Sequence, residues 1–142
     1  ALKFMSAQSG EHLVKAFAQS RADDIERKAT LALAKRANKT EALATFLTEQ
    51  GYATSVESRP LGEQLCQHHC PIAHVAAEFP QLCEAETELF SSLLGTHVQR
   101  LATIAHGDGV CTTFVPKNSS QPFSQKTSQV TQEKQLTSGK AL

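Results

Sequence analysis

A chain of 142 residues, 40% of them hydrophobic, with one tyrosine and no tryptophan, has room for one domain with a modest, rather aliphatic core. Its 14 basic and 14 acidic side chains cancel, which argues against nucleic-acid binding by bulk electrostatics. No apolar run approaches the roughly 20 residues needed to cross a bilayer and no secretory leader opens the chain, so no membrane partner and a cytoplasmic location are expected.

Residues 1–9 carry no clear signal and are set apart as an N-terminal remnant. From Gly10 to Ala37 the chain is rich in helix formers and lacks proline; Leu13, Val14 and Phe17 share one face. Ile25, Ala29, Ala32 and Leu33 continue a weaker stripe of small residues, suited either to pairing with a second copy or to packing on the chain's own domain. At Asn38 a new helix begins: Asn38 can cap it, and Glu41 can reach back to the cap amide. Ala42, Leu43, Phe46 and Leu47 give its apolar face, and Gly51 ends it.

The period then changes to two. Tyr52, Thr54, Val56 and Ser58 alternate with Ala53, Ser55 and Glu57, a strand that ends at Arg59-Pro60. Pro60-Leu61-Gly62 turns the chain, and Glu63 to His68 pairs back as a hairpin. A short helix at most fits 71–80 before Pro80, and a stronger one runs from Gln81 to Leu94 with Leu82, Ala85, Leu89 and Leu93 apolar, closed by Gly95. Its acids, Glu84, Glu86 and Glu88, cluster early, as the helix dipole favours. Residues 97–104 are a strand candidate, Gly107-Asp108-Gly109 a turn, and Val110 to Val115 a last strand. Beyond Pro116 the Ser-, Thr-, Gln- and Lys-rich composition predicts a disordered tail over 116–142.

All four cysteines, Cys66, Cys70, Cys83 and Cys111, fall within 66–111 with spacing C-x3-C-x12-C-x27-C, alongside His68, His69, His74, His97 and His106. Thiolate and imidazole are the ligands of iron–sulfur clusters, zinc and copper. On the predicted elements, Cys66 ends a strand, Cys70 sits in a turn, Cys83 opens a helix where the dipole favours its thiolate, and Cys111 lies on the last strand. If that strand joins the same sheet, the four converge at one end of it. Disulfides suit this pattern poorly, because Cys66 and Cys70 on a strand would stand about 13 Å apart.

Three readings of the cysteines stay open on chemistry alone: an iron–sulfur cluster, a zinc-stabilised structural or protein-interaction domain, and unliganded core thiols. The long gaps suit a site assembled from separate elements better than the two close pairs of structural zinc. Between 61 and 115, Glu63, Glu78, Glu84, Glu86, Glu88 and Asp108 face a single base, Arg100, so this segment would not bind phosphate unaided. A Cys70–His69 or Cys70–His74 nucleophile lacks any oxyanion-hole or base-orienting motif, and an enzyme is not expected.

The ordered set His69-Cys70-Pro71-Ile72, Leu82-Cys83-Glu84-Ala85-Glu86 leading to Phe90, Leu94-Gly95 and Gly107-Asp108-Gly109-Val110-Cys111 resembles the C-terminal sensor half of the SufR family. These are iron–sulfur-cluster-binding repressors of the suf cluster-assembly operon, and the flavour is cyanobacterial. The similarity covers roughly residues 10–115. It implies a homodimer with one [4Fe-4S] cluster per subunit, repressing when loaded and releasing the operon when the cluster is lost. Carried over, Cys70, Cys83 and Cys111 fall at the family's most regular cysteine positions. Cys66 matches a cysteine of some members, either a fourth ligand or a spare thiol, and a histidine such as His97 is another candidate for the fourth iron.

The family's winged helix-turn-helix precedes this half and has no counterpart here. The chain is therefore expected to be a fragment or short form, with DNA read only through an upstream domain and 10–37 as the linking and dimerisation helix. The expected fold is α+β: N-terminal helices, then a sensor domain over 38–115 made of a small antiparallel sheet with two inserted helices.

Overall fold

Alternating side chains after Gly51 build the sheet on which the helices pack. The computed structural model describes residues 1–117; the tail expected over 116–142 lies, from 118 onward, outside the described residues. The elements run α1 (Leu2–Ser9), α2 (Glu11–Leu33), α3 (Lys39–Glu49), β1 (Thr54–Arg59), β2 (Gly62–Gln67), α4 (Ala73–Glu78), α5 (Gln81–Leu94), β3 (Gln99–Ala102), a 3-10 turn (Ile104–His106) and β4 (Cys111–Pro116). The four strands form one antiparallel sheet in the order β1-β2-β4-β3. The α+β architecture with two helices between the hairpin and the last strands is the one expected.

Period two sorts the strands into two faces. Val56, Leu65 and Val115 point inward and join Leu43, Leu47, Leu89 and Phe90 in the main core. Leu65, Leu43 and Phe90 are fully buried; at roughly 1.5–3 kcal/mol for each large apolar side chain removed from water, such positions carry much of the stability. The other face is polar: Ser55, Glu57, Arg59 and Gln64 lie on it, and Arg59 Nε donates to Gln64 Oε1 at 3.1 Å.

The start of α3 follows its capping residue. Asn38 is extended and its side chain accepts from the Glu41 amide at 3.1 Å, the first half of the expected box. Gly51 follows in a left-handed conformation (φ 99°), which lets the chain leave the helix and enter β1. Helix α2 stops at Leu33, four residues before the expected Ala37, and residues 34–37 turn so that α3 can fold back on it.

α2 turns Val14, Ala18, Ala22, Ala29 and Leu33 inward, chiefly against α5. Three alanines in that seam permit close approach of the two helices. The face predicted from Leu13, Val14 and Phe17 splits: Val14 is buried while Leu13 and Phe17 stay partly exposed. α1, for which the sequence offered no signal, packs back on α2, and Leu2 covers the small cluster of Ala18, Ala76 and Leu82.

Among the described residues no helix is long and apolar enough to cross a membrane.

Candidate metal centre

Four free thiols are present and no disulfide joins them. Register decides which can meet. Cys111 pairs with Gln67 across β4 and β2, and Thr113 pairs with Leu65, so Cys111 shares the inward face with Leu65. Cys66 is one residue from Leu65 and faces the other way. Its thiol points to the Gln64 carbonyl at 4.0 Å and feels Glu57 and Arg59 of the outer face. The four-cysteine convergence expected at the end of the sheet is thus corrected: the sheet lies between Cys66 and the face that carries Cys111, while Cys70, Cys83 and Cys111 are near enough for charge on one to be felt by another.

These three thiols come from three kinds of element. Cys70 sits in the turn between β2 and α4, where its carbonyl accepts from the Ala73 amide at 3.2 Å. Cys111 opens β4, and its Sγ accepts from the Ile104 amide at 3.2 Å. That amide is held by the loop before β4: the Thr103 amide donates to Asp108 Oδ2 at 3.0 Å, and the Asp108 amide to the Thr103 carbonyl at 3.1 Å. Cys83 lies in the first turn of α5 and packs on the Ala76–Leu82 cluster.

Their charges are mutually felt. Burial raises the Cys70 thiol; the Ile72 backbone opposes this, Glu86 and Cys111 add to it, and Arg21 opposes again. Burial, then Glu86, pushes the Cys83 thiol up to about 11, with Cys70 and Cys111 adding and Arg100 opposing. The expectation that the helix dipole would favour a Cys83 thiolate is therefore corrected. A partial charge at a helix end is outweighed by burial and by a full carboxylate charge one turn away.

That carboxylate is a feature sequence reasoning passed over. Glu86 and Arg100 form an ion pair at 3.3 Å with 8% and 11% of their side chains exposed. The Arg100 guanidinium also lies over the Phe90 ring, 5.6 Å from its centre. Tyr52 joins the group: Arg21 donates to its hydroxyl at 2.9 Å, and burial, then the Glu86 charge, holds that hydroxyl above its ordinary range. Although Tyr52 is close enough to feel Glu86, no donor reaches Glu86 Oε1 with hydrogen-bond geometry; Gln67 Oε1, Thr113 Oγ1 and Arg100 Nε are likewise buried without a partner. Polar atoms are seldom buried unpaired. Here four of them lie on β2, β3, β4 and α5, the elements around the thiols.

The signal for Glu86 was present in the sequence. Leu82, Glu86, Leu89 and Phe90 fall on one helical face, and Arg100 is the single base between 61 and 115. The histidines belong elsewhere. His68 Nε2 meets Ser55 Oγ at 2.8 Å on the outer face, the His106 ring meets the Thr103 hydroxyl, and the side chains of His69, His74 and His97 are exposed.

Among the described residues, no three His, Cys, Asp or Glu side chains are grouped tightly enough to hold one metal ion. A polynuclear cluster places a different demand on the protein, because each thiolate binds its own iron and the thiolates stand farther apart. Three half-buried or buried thiols from separate elements, one of them already receiving an amide hydrogen bond, are donors of the type that iron–sulfur clusters use.

Comparison with family models, curated proteins and solved structures gave no match for this chain.

Proposed function

We propose that Cys70, Cys83 and Cys111 hold an iron–sulfur cluster, of the [4Fe-4S] type, in a sensing module of a SufR-like transcriptional repressor of cluster-assembly genes. The observation that supports this reading is that thiols from a turn, a helix and a strand, far apart in sequence, lie near enough for charge on one to be felt by another. The module works in the cytoplasm as a homodimer and senses rather than catalyses. DNA is read by a winged-helix domain upstream of this chain.

When bound, the cluster supplies metal–thiolate bonds that are lost under oxidation or iron shortage. The chain supplies the lever. Cys83 anchors α5, and α5 packs along the alanine seam of α2. Cys70 and Cys111 anchor the turn after β2 and the start of β4, both fixed to the sheet. A cluster held by all three thiols would add a tie between α5, the turn after β2 and β4 to those that Phe90 and the Glu86–Arg100 pair already make, and its loss would loosen the first turn of α5 where that helix meets α2. Arg21 of α2 reaches Tyr52 beside Glu86, a second tie between the site and that helix. α2 in turn leaves Leu13, Phe17 and Leu31 exposed for contact with a second copy.

Anaerobic purification with reconstitution, read by visible absorption and by iron, acid-labile sulfide and zinc assays, tests the proposal. It predicts a brown protein with equal iron and sulfide that bleaches in air. A colourless chain that resists reconstitution and holds one zinc overturns it in favour of a zinc-stabilised structural domain.

A further inference from the structure

We infer that the cleft between α2 and the connection from α3 to β1 binds a phosphate group, held by the Arg21 guanidinium and the Lys28 ammonium. The inference stands apart from the cluster reading, because every group it uses lies outside the cysteine set.

Helical spacing puts the two cations on one face. Arg21, Asp24, Ile25 and Lys28 follow at i, i+3, i+4 and i+7 along α2 and form a single stripe. At roughly 1.5 Å of rise per residue, Arg21 and Lys28 stand about 10 Å apart along the axis, so both long side chains can reach a group lying between them. Opposite this stripe, Leu47 and Gln50 at the end of α3, with Tyr52 and Pro71, close a cavity of about 250 Å³. That size suits a small ligand. The cavity therefore lies between α2 and two loops, the connection before β1 and the turn after β2.

The lining is positive over an apolar floor. Leu47 is buried and Ile25 half-buried. Asp24 is the one carboxylate on the lining, and it is paired with Arg27, which is not part of the cavity. Among the described residues, no carboxylate lies within ion-pairing distance of Arg21 or Lys28. Two like charges facing one cavity repel, and an anion between them reverses the sign of that interaction. Arg21 is already anchored: its Nη2 donates to the hydroxyl of Tyr52, a buried residue, at 2.9 Å. That bond uses one of the five N–H donors of a guanidinium. The donors that remain match two oxygens of a phosphate, and the Lys28 ammonium serves a third as a point charge. Gln50, exposed at the rim, offers a neutral amide donor. Residues 61–115, with six acids and one base, have no such place for phosphate. α2 supplies the charge they lack.

The test uses the full chain with inorganic phosphate as the probe, at constant ionic strength, read by calorimetry and by the nitrogen-15 NMR signal of the Arg21 side chain. Phosphate is expected to bind one to one and to shift that signal. Lys28→Gln and Arg21→Gln should each weaken binding about tenfold, the loss expected for one charge-assisted contact. Lys15→Gln, which removes an exposed lysine elsewhere on α2, should leave binding unchanged. Lys28 is exposed, so its variant keeps the fold and decides the matter even where Arg21→Gln, which frees Tyr52, unfolds the chain. An Arg21 signal that phosphate does not move overturns the inference. Equal weakening by Lys15→Gln and Lys28→Gln overturns it too, because the binding is then a matter of net charge alone. Acetate that binds as tightly as phosphate overturns it in favour of a carboxylate ligand. A chain that binds phosphate but takes up no iron supports this inference and fails the cluster reading alone.

Discussion

Glu86 on α5 and Arg100 on β3 meet at 3.3 Å, almost wholly out of water, and so tie the cysteine-bearing helix to the edge of the sheet. Charges withdrawn from water cost several kcal/mol each unless they are paired. The pair therefore matters less for what it adds than for what its loss leaves behind. Replacing Arg100 by Met strands a buried carboxylate and is expected to destabilise the metal-free protein by about 3–5 kcal/mol in urea melts. The double replacement of Glu86 and Arg100 by Met should recover most of that loss, since no charge is then left unpaired. A double variant as unstable as Arg100→Met would contradict this account.

Gly62 predicts a second stability effect, from the backbone. A Cβ at this position would stand 2.2 Å from the Val115 carbonyl oxygen and 2.9 Å from Pro116 Cα. Neither backbone group can move without separating β2 from β4. Gly62→Ala is expected to cost about 1–3 kcal/mol, the usual range for forced overpacking, read as a lower thermal midpoint. An unchanged midpoint would show that the β2–β4 edge yields more freely than its register implies.

The raised Cys83 thiol gives a pH prediction for the metal-free chain. Its folded value, about 11, lies above the unfolded 9.0, so the folded state holds this proton more tightly. Its stabilising contribution is complete below about pH 9 and declines as pH rises from there toward about 11. In urea titrations across that window, wild type should lose more stability than Cys83→Ala, and near neutral pH Cys83 should be alkylated slowly. Parallel curves for the two proteins would mean that Cys83 is not held in the environment described.

The exposed side of α2 carries a prediction for the proposed homodimer. Leu13 and Phe17 lie one helical turn apart and are 37% and 42% exposed, whereas Val14 and Ala18 beside them are buried in the monomer. Changing Leu13 and Phe17 together to Glu should shift sedimentation from dimer to monomer with little effect on the thermal midpoint. A double variant that remains dimeric would place the contact on another surface.

How much of this was legible beforehand differs by element. The hairpin, α5, α3 and the last strand were readable because period, cap and stop residues agree: Asn38 before α3, Gly51 after it, and Gly95 in a left-handed conformation after α5. β3 was harder. The register shift between Arg100 and Ala102 breaks the alternation that would mark a strand, and the chain passes at once into a 3-10 turn.

The cysteines were legible as a set but not as a geometry. Which face Cys66 occupies depends on Leu65 pointing into the core, and a strand slipped by one residue would have reversed it. Glu86 read only as one of three acids early in α5, because its burial depends on Arg100, fourteen residues away on another element. Pairings that close only in three dimensions leave little trace in local composition.

The most direct test of the central claim is the iron and sulfide content of four single variants, Cys66→Ser, Cys70→Ser, Cys83→Ser and Cys111→Ser, reconstituted side by side with wild type. The account predicts that Cys66→Ser loads as wild type does, with the same visible spectrum, while the other three lose most of their iron and sulfide. Loss of the cluster in Cys66→Ser, or full loading in any of the other three, would contradict it.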